Sequence, residues 1–256
     1  MDENIDKERI FAVINSSVRR LPGTESTSNF TFSFNEPITR IEQITVTSIQ
    51  VPNTFYIFNS MNNVLTFNNN TTIATITPGS YNMTNLAFEL KNRIDAAFAD
   101  NTTTVVYNIS TYKITITRGT SFIIDASVDV PDSKASKALG FTTSSPNALS
   151  ATSNRSVNIS GPNYILITSN FLTKARQHKT LYANNNYRDV FLTLPVDVNF
   201  GETINLVGKT PVTIINNYKS SIRTTDIIDI KVTDEEKNII DLNGADISIS
   251  LVFTTR

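Results

Sequence analysis

"PGSYNMTNLAFELKNRIDAAF", Pro78 to Phe98, reads unlike the chain on either side of it. Apolar residues recur at Met83, Leu86, Ala87, Leu90, Ile94 and Ala97, which places them on one face of an α-helix. Pro78-Gly79 supplies a turn ahead of the helix, and Asn82 or Thr84 can cap its first turn. Nearly everything else alternates with the period of a strand. One amphipathic helix in a β pattern must bury its apolar face somewhere, and its immediate neighbours offer the partners. "VLTF" and "TIATIT" before it read as strands, as do "TVVYNIS", "YKITITRG" and "SFIIDAS" after it. "SKASKALGF" adds a short helical turn ending at Gly140, and the Ser/Thr/Asn stretch Thr142 to Ser156 reads as a return linker. Residues 60–156 therefore form a small α+β subdomain with its linker. The competing reading has the helix plug one end of a single sandwich.

Either side of this block the strand pattern joins up. "RIFAVINSS" (Arg9 to Ser17) is apolar on both faces and reads as an interior strand. "NFTFSF" sets Phe30, Phe32 and Phe34 on one face. In "IEQITVTSIQV" the apolar parity switches near Ser48, from Ile44 and Val46 to Ile49 and Val51, which signals a bulge or a change of face. After the middle block come "NYILITSNF" and "VFLTLPVDVNF"; Pro195 in the latter cannot donate to a ladder, so that strand lies at an edge or breaks there. "TINLV" and "PVTIINN" read as two shorter strands, and "DIIDIKVTDEEKNIIDLNG" as a hairpin with Ile228, Ile230 and Val232 inward. "ADISISLVF" alternates through Ile247, Ile249, Leu251 and Phe253. About eight strands with long connections fit a mainly β fold, a single jelly-roll β-sandwich with a small inserted α+β subdomain. The expected boundaries are 1–59 and 157–256 for the jelly roll and 60–156 for the insertion.

The 256 residues carry a formal net charge of −1 and only 18% charged side chains, so neither a nucleic-acid funnel nor a polybasic membrane patch is expected. No cysteine is present, which excludes disulfides and thiolate metal sites. No run of 18 apolar residues exists to span a membrane, and "MDENIDKERIF" does not read as a secretory signal. Polarity comes instead from 30 Asn and 59 Ser plus Thr. Nine N-x-[ST] sequons begin at Asn15, Asn29, Asn69, Asn70, Asn82, Asn101, Asn108, Asn154 and Asn158. Roughly seven are expected by chance at this composition, so they are not read as glycosylation sites.

Catalytic motifs are sparse. His178 in "KARQHKT" is the single histidine; it has no G-x-S-x-G elbow to serve, and Lys174, Arg176 and Lys179 disfavour an imidazolium, so it reads as an exposed loop residue. "GKT" at Gly208 to Thr210 lacks the upstream glycine spacing of a phosphate loop, and Pro211 stands where the helix should start. Asp226, Asp229, Asp234, Glu235, Glu236, Asp241 and Asp246 lack calcium-loop spacing and read as a solvated hairpin. Nothing selects a carboxylate pair for glycoside chemistry. Phe55, Tyr56, Phe58, Tyr182 and Tyr187 are the candidate exposed aromatics, better suited to a packing corner or subunit contact than to a ligand platform. No catalytic, cofactor-binding or metal residue is assigned.

Phe11 to Phe58 is similar to the N-terminal region of the penton, or minor capsid, proteins of virophages, polinton-like elements and some large DNA viruses. The likeness lies in "VINSSVR", then "NFTFSF", then "ITVTSIQVPNTFY". "PGSY" (Pro78 to Tyr81) and "ALGF" (Ala138 to Phe141) extend it, and it loosens after residue 163. Asp is common in that family where Asn15 stands here. The resemblance implies a single jelly-roll capsid protein without catalysis. It implies a homopentamer at the vertices of the virion, in contact with a double jelly-roll major capsid protein. Synthesis in the host cytoplasm or a viral factory follows. A viral fibre-like or glycan-binding β-sandwich is the alternative, separated from a penton by forming trimers rather than five-fold rings.

Overall fold

A computed structural model describes residues 8–18, 26–174, 190–215 and 224–255. His178, Tyr182 and Tyr187 lie outside them. In chain order the strands and helices are β1 (Glu8–Asn15), β2 (Asn29–Ile38), β3 (Ile41–Pro52), β4 (Val64–Phe67), β5 (Thr72–Thr75), α1 (Met83–Phe98), β6 (Thr104–Asn108), β7 (Lys113–Phe122), α2 (Ala135–Ala138), β8 (Ala148–Thr152), β9 (Tyr164–Thr168), α3 (Asn170–Lys174), β10 (Val190–Pro195), β11 (Thr203–Ile215), β12 (Thr225–Thr233) and β13 (Ser248–Thr255). They divide into two compact units, Met1–Phe55 with Pro162–Arg256, and Tyr56–Gly161.

The first unit holds two four-stranded antiparallel sheets, ordered β1-β13-β3-β11 and β10-β9-β12-β2. Period-two alternation turns one face of each sheet to a shared core. Ile14, Ile44, Val46, Ile49, Ile249, Leu251 and Phe253 come from one sheet; Phe30, Phe32, Ile165, Ile167, Ile228, Ile230 and Val232 come from the other. The bulge expected in β3 is present. Between Val46 and Ser48 the partner β13 steps directly from Leu251 to Ser250, leaving Thr47 as the extra residue, and its hydroxyl donates to the Ser250 carbonyl at 3.2 Å. One added residue lets both apolar parities of β3 face inward.

Four expectations for this unit are corrected. Arg9 to Ser17 is not interior: β1 is an edge strand, and Phe11 and Val13 are exposed. "TINLV" and "PVTII", the described part of "PVTIINN", belong to one strand, β11, whose register against β3 jumps between Val207 and Val212. That jump absorbs Gly208 to Thr210, so the "GKT" tripeptide is a bulge in a strand. The second arm of the C-terminal hairpin is not a strand; beyond the turn only the bridge Thr233–Ile239 forms. Finally, the inward face expected to run from Leu192 and Leu194 on to Phe200 stops short: Val196 and Val198 still pack against the core but Phe200 is exposed, while the break at Pro195 is as expected. β10 is indeed at a sheet edge, where a proline that cannot donate is tolerated.

In the second unit Asn82 caps α1, its side-chain oxygen accepting the Asn85 N–H at 2.8 Å. Leu86, Leu90 and Ile94 are fully buried against Leu65, Phe67, Ile114, Ile116 and Phe122. Asp95 is also buried. Burial alone raises a carboxyl pKa, but hydrogen bonds from Lys91 and Thr103 outweigh it and hold Asp95 below the usual carboxylate range. The ALGF stretch ends α2. Gly140 adopts φ +82°, and a Cβ there would lie 2.4 Å from the Arg155 carbonyl oxygen, so only glycine fits between buried Leu139 and Phe141. "YKITITRG" and "SFIIDAS" do not form two strands: β7 runs through to Phe122, and beyond it Ile124 makes a single bridge to Phe67. The stretch read as a return linker contains β8, which pairs with β7 and exchanges hydroxyl hydrogen bonds at Thr115–Thr152 and Thr117–Ser150, each 2.9 Å.

Candidate functional site

The four outer strands of the jelly roll are not equivalent. β10 shifts register between Val190 and Leu192 and ends at a proline; β11 carries the bulge over residues 208–211; β2 shifts where it faces Thr225 to Ile227 and contains Pro37. Such irregularities blunt a sheet edge against pairing with another chain. β1 has none. Its ladder to β13 runs unbroken from Glu8–Thr255 to Asn15–Ser248, and its other edge pairs with no strand among the described residues.

The side chains of β1 show why its double apolar pattern does not make it an interior strand. Ile10, Ala12 and Ile14 face the core, and Phe11 and Val13 face outward, 76% and 65% exposed. Beside them Phe32, Phe34 and Ile38 of β2 line the same open groove, of about 640 Å³. Phe34 packs edge-on against Phe32 and Phe253, with centroids 5.2 and 5.9 Å away, so the floor of the groove is continuous with the core. Covering a Phe or Val side chain completely is worth about 1.5–3 kcal/mol. Among the described residues no strand pairs with this regular edge, and its two exposed apolar side chains would gain such energy on being covered.

The end of this edge is held firmly. The buried Ser16 hydroxyl donates to Asp246 at 2.7 Å and accepts the Ile247 N–H at 3.0 Å, while the Ser16 N–H donates to the Ile247 carbonyl. The Asn15 side-chain oxygen accepts both the N–H and the hydroxyl of Ser17, at 2.8 and 2.7 Å. An aspartate at this place would accept the same two bonds. The "VINSS" stretch thus fixes the strand end rather than supplying chemistry.

The acidic set is dispersed over separate structural tasks. Asp229 caps α3, accepting the N–H groups of Asn170 and Phe171 at 2.8 and 3.1 Å. Asp234 closes its turn by accepting from Glu236 and Asn238, and Glu235 accepts the Asn163 N–H. Asp246 holds Ser16. Among the described residues no three His, Cys, Asp or Glu side chains gather at a possible metal position. Of the aromatics expected at the surface, Phe55 and Phe58 are buried and Tyr56 is 37% exposed. Sequence reading missed Phe11 and Val13; the signal was the double apolar parity of "RIFAVINSS", taken as two buried faces.

Fold and edge together define the class. Eight antiparallel strands in two sheets, each mixing strands from before and after the middle block, make a single jelly roll. The chain is similar to one solved structure in particular, the crystal structure of the selenomethionine-labelled penton protein of mavirus. The two share 10% identity over 97% of this chain and 99% of that one, with a TM-score of 0.46. No protein-family model and no curated protein matches the chain.

Proposed function

We propose that this chain is a structural protein of a virion, without catalytic activity. Five copies close a ring at the icosahedral vertex, set among a double jelly-roll major capsid protein. The observation that carries the reading is the regular, apolar β1 edge, which presents Phe11 and Val13 where the other three edges are blunted. An edge of this kind on one copy, meeting a different surface on the next, makes a heterologous contact, and such contacts close into a ring when the rotation between copies divides a full turn. The penton-like stretch from Phe11 to Phe58 supports the same reading, because it takes in most of β1 and all of β2, the strands that build the edge and its groove. The second unit, residues 56–161, is a self-contained subdomain carried by the jelly roll, with its own core of helix and sheet.

Light scattering and negative-stain imaging of the purified protein test the assignment. Pentamers with five-fold rings are expected, and a Phe11→Ser, Val13→Ser double variant should remain folded and be monomeric. A stable trimer, a protein that stays monomeric, or rings indifferent to the double variant would each overturn it.

A further inference from the structure

We propose that Asn243 is a site of spontaneous modification, losing its side-chain amide to the backbone nitrogen of Gly244 and passing through a succinimide to aspartate and isoaspartate. Asn243-Gly244 is the one Asn-Gly step in the chain. Glycine has no side chain to shield its own peptide nitrogen, and at Gly244 an added Cβ would meet nothing within 4 Å. Both residues are exposed, in a turn closed by the Ala245 N–H donating to the Leu242 carbonyl at 3.0 Å, with φ of 50° and 79°. The step balances with water alone. The deprotonated Gly244 nitrogen bonds to Asn243 Cγ, the bond from Cγ to the amide nitrogen breaks, and ammonia leaves with the proton. Water then adds to either carbonyl of the five-membered imide and opens it, with no change of oxidation state. Opening at one carbonyl restores a normal backbone as aspartate; opening at the other leaves the main chain running through the side chain as isoaspartate.

The fold sets a gate on this reaction and gives it a consequence. Asn243 Nδ2 donates to the Thr54 carbonyl, and Thr54 Oγ1 donates to the Leu242 carbonyl at 2.6 Å. This two-bond tie fixes the turn to the chain just beyond β3. Releasing the amide from Thr54 frees the side chain to turn toward the Gly244 nitrogen, so the rate of modification should follow the local opening of the tie. The product cannot restore it. A carboxylate has no hydrogen to donate, and it would set a negative acceptor against the Thr54 carbonyl oxygen.

The test is peptide mapping of the purified full chain after incubation at mildly alkaline pH, with fragmentation that separates aspartate from isoaspartate. The peptide carrying residue 243 should gain acid forms, isoaspartate predominating, ahead of every other Asn-containing peptide. Gly244→Ala should slow the conversion. Asn243→Gln, whose longer side chain closes the ring far more slowly, should abolish it and serves if the alanine disturbs the turn. An amide that stays intact at 243 while other asparagines convert, or conversion indifferent to both substitutions, would overturn the proposal.

Discussion

Ile249→Ala is the sharpest probe of the jelly-roll core. In β13 this residue lies between Ile14 of β1 and Ile49 of β3, and all three are fully buried. Truncation removes the transfer energy of the lost carbons and leaves a cavity that a three-strand ladder cannot collapse to fill. Such changes cost about 2–5 kcal/mol, against a total stability of about 5–15 kcal/mol for a folded domain. For a unit of about 150 residues each kcal/mol moves the midpoint by roughly 2–4 °C, so a fall of roughly 4–20 °C is expected. The internal control is one residue away. Ser250 is half-buried on the opposite face, and the bond its carbonyl accepts from Thr47 survives any side-chain change. Ser250→Ala should stay within about 0.5 kcal/mol. Calorimetry suits the comparison, because two compact units can melt in separate transitions and only the jelly-roll transition should move. If Ser250→Ala costs as much as Ile249→Ala, the outer face of β13 is covered too. If neither changes the melt, the core assignment is wrong.

Three further changes probe the second unit. Gly140→Ala should destabilise it by roughly 1–3 kcal/mol, through positive φ and the clash with the Arg155 carbonyl, as read by urea unfolding. Asn82→Ala should cost about 0.5–2 kcal/mol through loss of the α1 cap, with a matching loss of helical circular dichroism near the midpoint. The lowered pKa of Asp95 makes its contribution to stability complete above the ordinary carboxylate value of about 3.9. That contribution is lost as pH falls from there through its own lower value, and Asp95→Asn should flatten this part of the stability-pH curve.

Much of this fold was legible because alternation reports which face of a strand is buried. The inward sets of β12 and β13, the bulge in β3, the edge position of Pro195 and the helix at Pro78 to Phe98 were all readable on that ground. Pattern cannot say what covers a face. "RIFAVINSS" is apolar on both sides whether the cover is its own sheet or another chain, so the exposed Phe11 and Val13 looked like core. β8 was missed because "ALSAT" has a weak apolar alternation and owes its place to threonine and serine pairs across the sheet. β11 was split because a break in alternation looks the same for a bulge as for a turn. Phe55 and Phe58 looked like surface because each belongs to a different core that only the division into units reveals. The edge itself had no sequence signal beyond the missing prolines and bulges.

The placement of β13 has a consequence for how the molecule is made. β13 is the latest strand in the chain yet sits second in its sheet, clasped between β1 and β3. The bond from Ser16 to Asp246, just ahead of β13, spans 230 residues of sequence. During synthesis β1 is made long before its ladder partner β13, which emerges after all the other strands of the jelly roll. Residues 56–161 close their contacts within one contiguous segment and can fold much earlier. The jelly roll is therefore the slow, high-contact-order step, and until residues 248–255 arrive both flanks of β1 lie open. The strand whose outer edge pairs with no other strand among the described residues spends its nascent life with two such edges, which makes premature pairing between growing chains the hazard this topology has to survive.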